Sequence, residues 1–345
     1  MQEVTFTLQT ITPLFLAGAD QTKAELRAPS FRGVLRYWLR ALVGGLVGAD
    51  DTGLRQVIEV EADVFGTTDK GSAVSIKMSE PSKQPEQFTE RTNIQVRGQW
   101  QATGKGYLLW SMARSGNPAR GNVKPARWYF PPQTNFQVFL SARANTDPEA
   151  FKRAVAAFWL LTTLGGLGSR SRRCAGSLTI QEVNGNLPVI PGLSFSIPET
   201  PQALKQYIEQ GIKAARSLYP GARRHISEPF FDILTHDNCS IWILPDANHT
   251  WRNPDEAMRI MGEELQNYRS YVPIQQRKIF GLPLKGINGR RSSPLLLRVT
   301  KLQQEKYVGI VVLFKTRIAG IPMSDYAFIE KWIASSFPNA LGVQL

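Results

Sequence analysis

The chain begins with a strict alternation. Over residues 4–11 (Val-Thr-Phe-Thr-Leu-Gln-Thr-Ile) every second side chain is apolar, the period of a half-buried strand. Thr12-Pro13 ends that run, and Gly18 marks a turn. From residue 30 the period changes. Phe31, Val34, Leu35, Trp38, Leu39, Leu42 and Val43 recur at steps of three and four, which predicts a helix over 30–46. Ser30 is placed to cap it, and Gly44-Gly45 weakens its end. Short apolar runs predict strands at 74–78 and 107–112. Between them, 80–106 is polar and reads as a loop or an extended hairpin. Residues 115–125 (Ser-Gly-Asn-Pro-Ala-Arg-Gly-Asn-Val-Lys-Pro) hold too many turn formers for regular structure. Alternation returns at 136–142. Asp147-Pro148 then opens a second helix, with an acidic cap and a proline in the first turn. That helix runs to about 163 and buries Phe151, Val155, Phe158 and Trp159. A glycine-arginine loop follows, and 177–183 is the next strand.

Strand, helix, strands, helix, strand is the order of a ferredoxin-like (split βαβ) unit, a topology that many RNA-binding modules share. A proline-rich stretch, 188–201, reads as a linker. Beyond it the pattern predicts a helix at 201–218, a strand at 239–244 and a helix at 254–268. Strands at 293–299 and 307–314 and a helix at 324–336 complete the chain. The expected fold is therefore α+β, two tandem ferredoxin-like (RRM-like) domains over 1–190 and 191–345. A length of 345 residues, beyond the ~250–300 at which single cores stop growing, agrees with two units.

Charge adds the nature of the partner. The formal net charge is +13, and 26 of the 41 basic residues are arginine. Arginine grips phosphate with a planar fork and stacks on bases, whereas lysine acts as a point charge. Residues 1–190 carry 22 basic and 15 acidic side chains, and 191–345 carry 19 and 13. A surplus shared along the body suits a long polyanion better than a basic tail does. No 18-residue uncharged apolar run occurs; the best candidate, 34–48, is broken by Arg36 and Arg40, which argues against a membrane span. No secretory signal is visible at the N-terminus. Cys174 and Cys239 are the only cysteines and form no CxxC pair, as expected of a protein of the reducing cytoplasm.

Two basic clusters carry the candidate chemistry. Arg32, Arg36 and Arg40 fall at steps of four on one stripe of the first helix, with no acidic residue between 28 and 49 to pair with them. They face either a polyanion, solvent or acids from elsewhere in the fold. The second cluster is the loop at 165–176, Gly-Gly-Leu-Gly-Ser-Arg-Ser-Arg-Arg-Cys-Ala-Gly. Its glycines allow a ligand to approach main-chain N–H groups; Ser169, Ser171, Arg170, Arg172 and Arg173 add donors and charge. It is not a nucleotide P-loop, because GK[ST] is absent and the loop follows a helix instead of opening one.

A helix, a Gly-rich loop ending in paired arginines, and then a strand resembles the G-loop of the RAMP superfamily of CRISPR-associated proteins. The stretch Thr-Pro-Leu-Phe-Leu-Ala-Gly-Ala (12–19), followed by Pro-Ser-Phe-Arg-Gly-Val-Leu-Arg-Tyr-Trp-Leu-Arg-Ala (29–41), is similar to subunit one of the Cmr (type III-B) effector complex. Gly-Tyr-Leu-Leu-Trp (106–110), Phe-Gly-Leu-Pro (280–283) and Arg-Arg-Ser-Ser-Pro (290–294) extend the likeness to both halves. One departure stands out: Cys174-Ala175 replaces the Gly-Phe that usually follows the paired arginines. The resemblance implies a non-catalytic subunit that binds guide RNA, target RNA or both near the guide 3′ end and contacts other RAMP subunits of the Cmr complex. Carried over position by position, Arg32, Arg36, Arg40 and residues 168–173, beginning with Gly168, would face RNA, with Arg290 and Arg291 as a weaker third site.

The alternative is a RAMP-type endoribonuclease that processes guide precursors. Its candidate is His225 in Arg223-Arg224-His225, with the histidine moving the proton and the arginines on phosphate. His236-Asp237-Asn238-Cys239 contains ligand types but lacks a second pair at zinc spacing, so neither metal nor cofactor is expected. Asp20 and Asp63 have no recognisable catalytic partner.

Overall fold

A computed structural model describes all residues except Met1, 97–98, 117–118, 120, 222–225, 246–247 and 285–286; for 96, 100, 283–284 and 287–290 it describes the backbone only. The first half runs β1 (Glu3–Thr10), α1 (Ala28–Val47), α2 (Asp51–Phe65), β2 (Val74–Met78), and the short strands β3 (Glu86–Gln87), β4 (Asn93–Val96) and β5 (Gln99–Ala102). It continues with α3 (Gly104–Leu109), β6 (Trp128–Tyr129), β7 (Asn135–Ala142), α4 (Pro148–Leu164) and β8 (Leu178–Gly185). The second half comprises α5 (Pro201–Ser217), β9 (Cys239–Leu244), α6 (Pro254–Tyr271), β10 (Leu282–Leu284), β11 (Ile287–Arg291), β12 (Leu295–Lys301), β13 (Tyr307–Phe314), α7 (Ala327–Ser336) and β14 (Leu341–Val343).

Two four-stranded antiparallel sheets organise the chain, ordered β2-β7-β1-β8 and β12-β13-β9-β14. In β1 the inward set Val4, Phe6 and Leu8 is fully buried, as its alternation requires. All eight residues of β13 are buried, so this strand has helices or loops on both faces. Val308, Ile310, Val312 and Phe314 join α1, α4, α5 and the inner face of the first sheet in one apolar cluster. Val311 and Leu313 point the other way, into a second cluster with α3, α6 and α7. Trp38 of α1 meets Phe314 of β13 with ring centres 6.2 Å apart, so the first cluster spans both halves of the chain.

Two differences from the sequence pattern have clear causes. Residues 107–112, read as a strand, are the end of α3 and a 3₁₀ turn. The Thr103 hydroxyl caps α3 by accepting from the Gly106 amide at 2.9 Å, and Leu108 and Leu109 are both buried against α6, so a run that looked two-sided is one turn of helix. The second difference is α2, which the apolar periodicity did not announce. Asp50 caps it through the Gly53 amide at 2.7 Å, and only Gly53, Val57, Val64 and Phe65 are buried, a stripe too thin to stand out. The proline-rich stretch has no helix or strand before Pro201 opens α5, but it is held against α4: Trp159 Nε1 donates to the Ser194 carbonyl at 2.9 Å, and Ile190 is buried.

One side chain of the second sheet fixes the frame of the glycine loop. Arg298 of β12 is 3% exposed. Its guanidinium donates to the carbonyls of Gly165 at 2.6 Å and Leu178 at 2.5 Å, at the two ends of the loop, and to Leu161 at 3.4 Å. Burial pulls its pKa down to about 9, so the group remains a cation at neutral pH. Two of its acceptors are carbonyls at the C-terminus of α4, where the helix carries partial negative charge.

Arg298→Met should therefore lower stability by roughly 2–5 kcal/mol in a urea titration, because the buried Gly165 and Leu178 carbonyls lose a donor together while Leu161 keeps the Gly165 amide. A loss under about 1 kcal/mol would show that the tie is dispensable. The contact of α3 with α6 gives a second expectation: a Cβ on Gly262 would lie 2.0 Å from the Gly104 carbonyl oxygen. Gly262→Ala should cost about 1–3 kcal/mol by overpacking, seen as a lower denaturation midpoint with an unchanged urea slope.

Candidate nucleic-acid interface

The loop at 165–176 is a folded object whose amides are largely spent inside the protein. The Leu167 amide donates to the Gly176 carbonyl at 3.0 Å, Ser169 to Phe15 at 2.7 Å, Cys174 to Leu297 at 2.9 Å and Gly176 to Pro13 at 2.8 Å. Those bonds explain two of its glycines. Gly168 has φ +84 and would place a Cβ 2.4 Å from the Phe15 carbonyl; Gly176 has φ +65 and would place one 1.9 Å from Leu167 O. At Gly176 the main-chain N–H is spent on Pro13 and is not open to a ligand. The glycines let strands approach, and side chains are left to present charge.

The three loop arginines divide by role. Arg172 turns inward: its Nη2 meets Asp232 Oδ2 at 2.7 Å, its Nη1 donates to Ser293 O at 2.7 Å, and its guanidinium lies 5.4 Å from the Tyr37 ring centre. Burial opposes its charge, but Tyr37 and Asp232 outweigh burial and hold its pKa above the ordinary value. Arg173 donates to Phe280 O at 3.1 Å, and burial draws its pKa down to about 10. Arg170 has φ +63 and projects its guanidinium over the indole of Trp110, 5.8 Å from the ring centre, with its pKa lowered by burial. Ser169 is exposed and Ser171 half-buried beside it.

Arg170, Ser171, Arg172 and Arg173 edge a cleft of about 410 Å³ that the second half of the chain completes. Arg269 of α6 contributes a guanidinium 5.4 Å from the Phe280 ring, and Arg291 of β11 reaches Thr316 Oγ1 at 3.1 Å and Tyr326 OH at 3.2 Å. Tyr107, Trp110 and Phe280 supply aromatic wall, and Ser292 and Ser293 supply rim. Five arginines line this one cleft, and among the described residues no carboxylate does. Arg170 Nε, Arg269 Nε and Arg291 Nη1 are buried there without an acceptor among the described residues. Half-buried cations gathered without a carboxylate are costly, and an anion in the cleft would offset their charge.

The α1 stripe does not join the cleft. Arg36 donates to the carbonyls of Phe65 at 2.8 Å and Gly66 at 2.6 Å, and both Arg36 and Arg40 pair with Glu61 of α2 at 3.3 Å. The acid that balances them lies on a helix the pattern concealed. Arg32 is half-buried with its Nε unpartnered among the described residues; burial first, and then Arg36 and Arg143, lower its pKa. Conversely, Arg291, placed third in rank by sequence, stands with the loop. The Arg290 side chain and residues 223–225, including His225, lie outside the described residues. His236 is exposed beside Asp237 at 3.3 Å. Both cysteines are buried, and burial pushes their thiols far up, away from thiolate chemistry. Cys174 has φ +68, a conformation suited to glycine.

Sequence reasoning did not single out Arg269, Tyr107 or Trp110 as site residues. Arg269 sits on a charged helix face with nothing to distinguish it, and Trp110 lay in a segment read as strand. The exposure of Trp110, 56% of its surface, is visible only in the structure.

Among the described residues, no helix is long and apolar enough to cross a membrane, and no three His, Cys, Asp or Glu side chains gather as a metal site. The family model of the RAMP superfamily matches residues 7–179. The CRISPR system Cmr subunit Cmr1-1 of Pyrococcus furiosus is 29% identical over 306 residues, covering 85% of this chain and 81% of that protein. The crystal structure of Cmr1 from Pyrococcus furiosus, in its apo form, superposes with a TM-score of 0.69 at 23% identity, over 100% of this chain and 99% of that one. A chain of a type III-B Cmr-beta complex bound to cognate target RNA matches with a TM-score of 0.62 at 12% identity, covering 96% and 99%. With the helix, loop and strand of the family match all in place, the chain belongs to the RAMP superfamily and resembles subunit one of the type III-B Cmr complex.

Proposed function

We propose that this chain is a non-catalytic RNA-binding subunit of a type III-B CRISPR effector complex acting in antiviral defence in the cytoplasm. In this reading it holds guide RNA, target RNA or both near the guide 3′ end, beside other RAMP subunits. The observation that carries it is the acid-free cleft with five arginines and three aromatic side chains at the glycine loop. Phosphate suits its gathered guanidinium charge, and bases suit its aromatic wall. The strand orders β8-β1-β7-β2 and β14-β9-β13-β12, each with helical crossovers, support reading 1–190 and 191–345 as tandem ferredoxin-like domains. The likeness to a chain of a complex bound to target RNA supports the same partner.

Within this reading the predicted residues take different tasks. Arg170, Ser171 and Arg291, with Arg269, contact phosphate directly. Arg172 and Arg173 hold the loop in shape, and Arg32 and Arg40 extend the basic surface along α1.

Filter binding of single-stranded RNA across a salt series tests the proposal. A steep fall of affinity with salt is expected, and Arg170→Gln with Arg291→Gln should reduce the log–log slope by about 0.7 per lost phosphate contact. A flat salt response of the unaltered chain overturns the RNA-binding role. RNA cleavage by the pure chain that disappears in His225→Ala overturns the non-catalytic one.

A further inference from the structure

Among the described residues, Asp232 is the one carboxylate that ion-pairs with the glycine loop. It lies between α5 and β9, in a segment pressed onto α1. The Leu234 amide donates to the Ala41 carbonyl at 2.8 Å, and Arg216 of α5 donates to the Leu234 carbonyl at 2.7 Å. A Cβ on Gly44 would lie 2.6 Å from the Phe231 ring, and one on Gly45 would lie 2.4 Å from the Leu234 carbonyl oxygen. The glycine pair stands inside α1 and admits this segment. Held there, the Asp232 side chain is 15% exposed, and its Oδ2 accepts from Tyr37 OH at 2.8 Å and from Arg172 Nη2 at 2.7 Å. Arg172 Nη2 also donates to Tyr37 OH at 3.3 Å, which closes a triangle of side chains from three distant segments. The triangle acts on a turn. The Arg173 amide donates to the Arg170 carbonyl at 2.7 Å, so 170–173 is one tight turn with Arg172 inside it. Arg170 opens that turn at φ +63, a conformation that a residue with a Cβ keeps only where its surroundings impose it. The Arg172 fork is fixed on Asp232 and Tyr37 by one nitrogen and on the Ser293 carbonyl at 2.7 Å by the other. Pinning position 172 pins the turn that sets Arg170 over Trp110.

Resting on the proposed RNA-binding role, we infer that Asp232 is a positioning residue: acting through Arg172, it withdraws one cation from the ligand-binding set and presets another, Arg170. Charge alone gives the opposite expectation. Removing a carboxylate beside a polyanion site raises the local positive potential and tightens binding. Where the carboxylate positions, its neutralisation weakens binding although the surface becomes more positive. The sign of that one change separates the two.

Asp232→Asn keeps the volume and removes the charge. In the full-length chain, fluorescence anisotropy with single-stranded RNA should show affinity about fivefold weaker, within the range of couplings inside one hydrogen-bonded network. The log–log salt slope should change by less than about 0.3, because no phosphate contact is gained or lost. Arg172→Met should weaken binding to a similar degree, and the double variant should bind no more weakly than Arg172→Met alone. Hydrogen exchange adds a readout that general destabilisation does not give. In Asp232→Asn the amides of Arg173, Cys174 and Ala175, all bonded within or across the loop, should lose protection while those of β1 and β13 keep theirs. Tighter binding, unchanged affinity, additive losses in the double variant, or loss of protection across the whole chain overturns the inference. So does a slope steeper by about 0.7, the mark of a freed Arg172 on phosphate. A flat salt response of the unaltered chain fails this inference together with the RNA-binding role; a steep response with Asp232→Asn unchanged fails this inference alone. Tyr37→Phe carries the test if Asp232→Asn does not fold, since it removes only the hydroxyl that donates to Asp232. Its expected loss is about twofold, and no loss overturns the inference.

Discussion

A buried guanidinium with no carboxylate partner among the described residues is an expensive thing to build, and Arg298 shows what the cost secures. Removing an arginine from water is unfavourable by several kcal/mol unless its donors are satisfied. Here the satisfaction comes from main-chain carbonyls at the end of α4 and the start of β8, which lie in the first half, while Arg298 lies in the second. The charge sits where the α4 dipole favours a cation. Because its fork is planar and rigid, one side chain sets the distance between the two ends of the glycine loop.

That frame explains how so basic a segment folds without an acidic counterpart beside each charge. Arg172 is held by Asp232 and Tyr37, and Arg173 by the Phe280 carbonyl. Both are consumed in joining the halves. Their work leaves Arg170 free of ion pairs among the described residues and turned over Trp110. In the same cleft, Arg291 is fixed through Thr316 and Tyr326. Two preset cations lose little side-chain freedom when an anion arrives, which lowers the ordering cost of binding.

Neutralisation elsewhere sharpens the contrast. On α1 the stripe of Arg36 and Arg40 is balanced by a single glutamate, Glu61, and Arg36 also caps the α2 carbonyls at 65–66. A basic stripe and a basic cleft look alike in a count of charges. They differ in whether donors are occupied, and occupied donors attract a polyanion less.

How much the sequence determined follows from range. The alternation of β1, β7 and β13 and the apolar faces of α1, α4 and α6 are local signals, because side-chain period alone decides which face is buried. The glycines, serines and arginines of 165–176 are local too, and they marked the loop and its family. Where neighbours decide, the chain was silent. The thin stripe of α2 hid Glu61, and residues 107–112 became helix because Thr103 caps them and α6 receives them. Most of all, the partnership of Arg170 with Trp110, Arg269 and Arg291 joins positions up to 181 residues apart. Which arginines are spent on carboxylates and carbonyls and which remain open depends on packing across both sheets, and only the tertiary structure decides it.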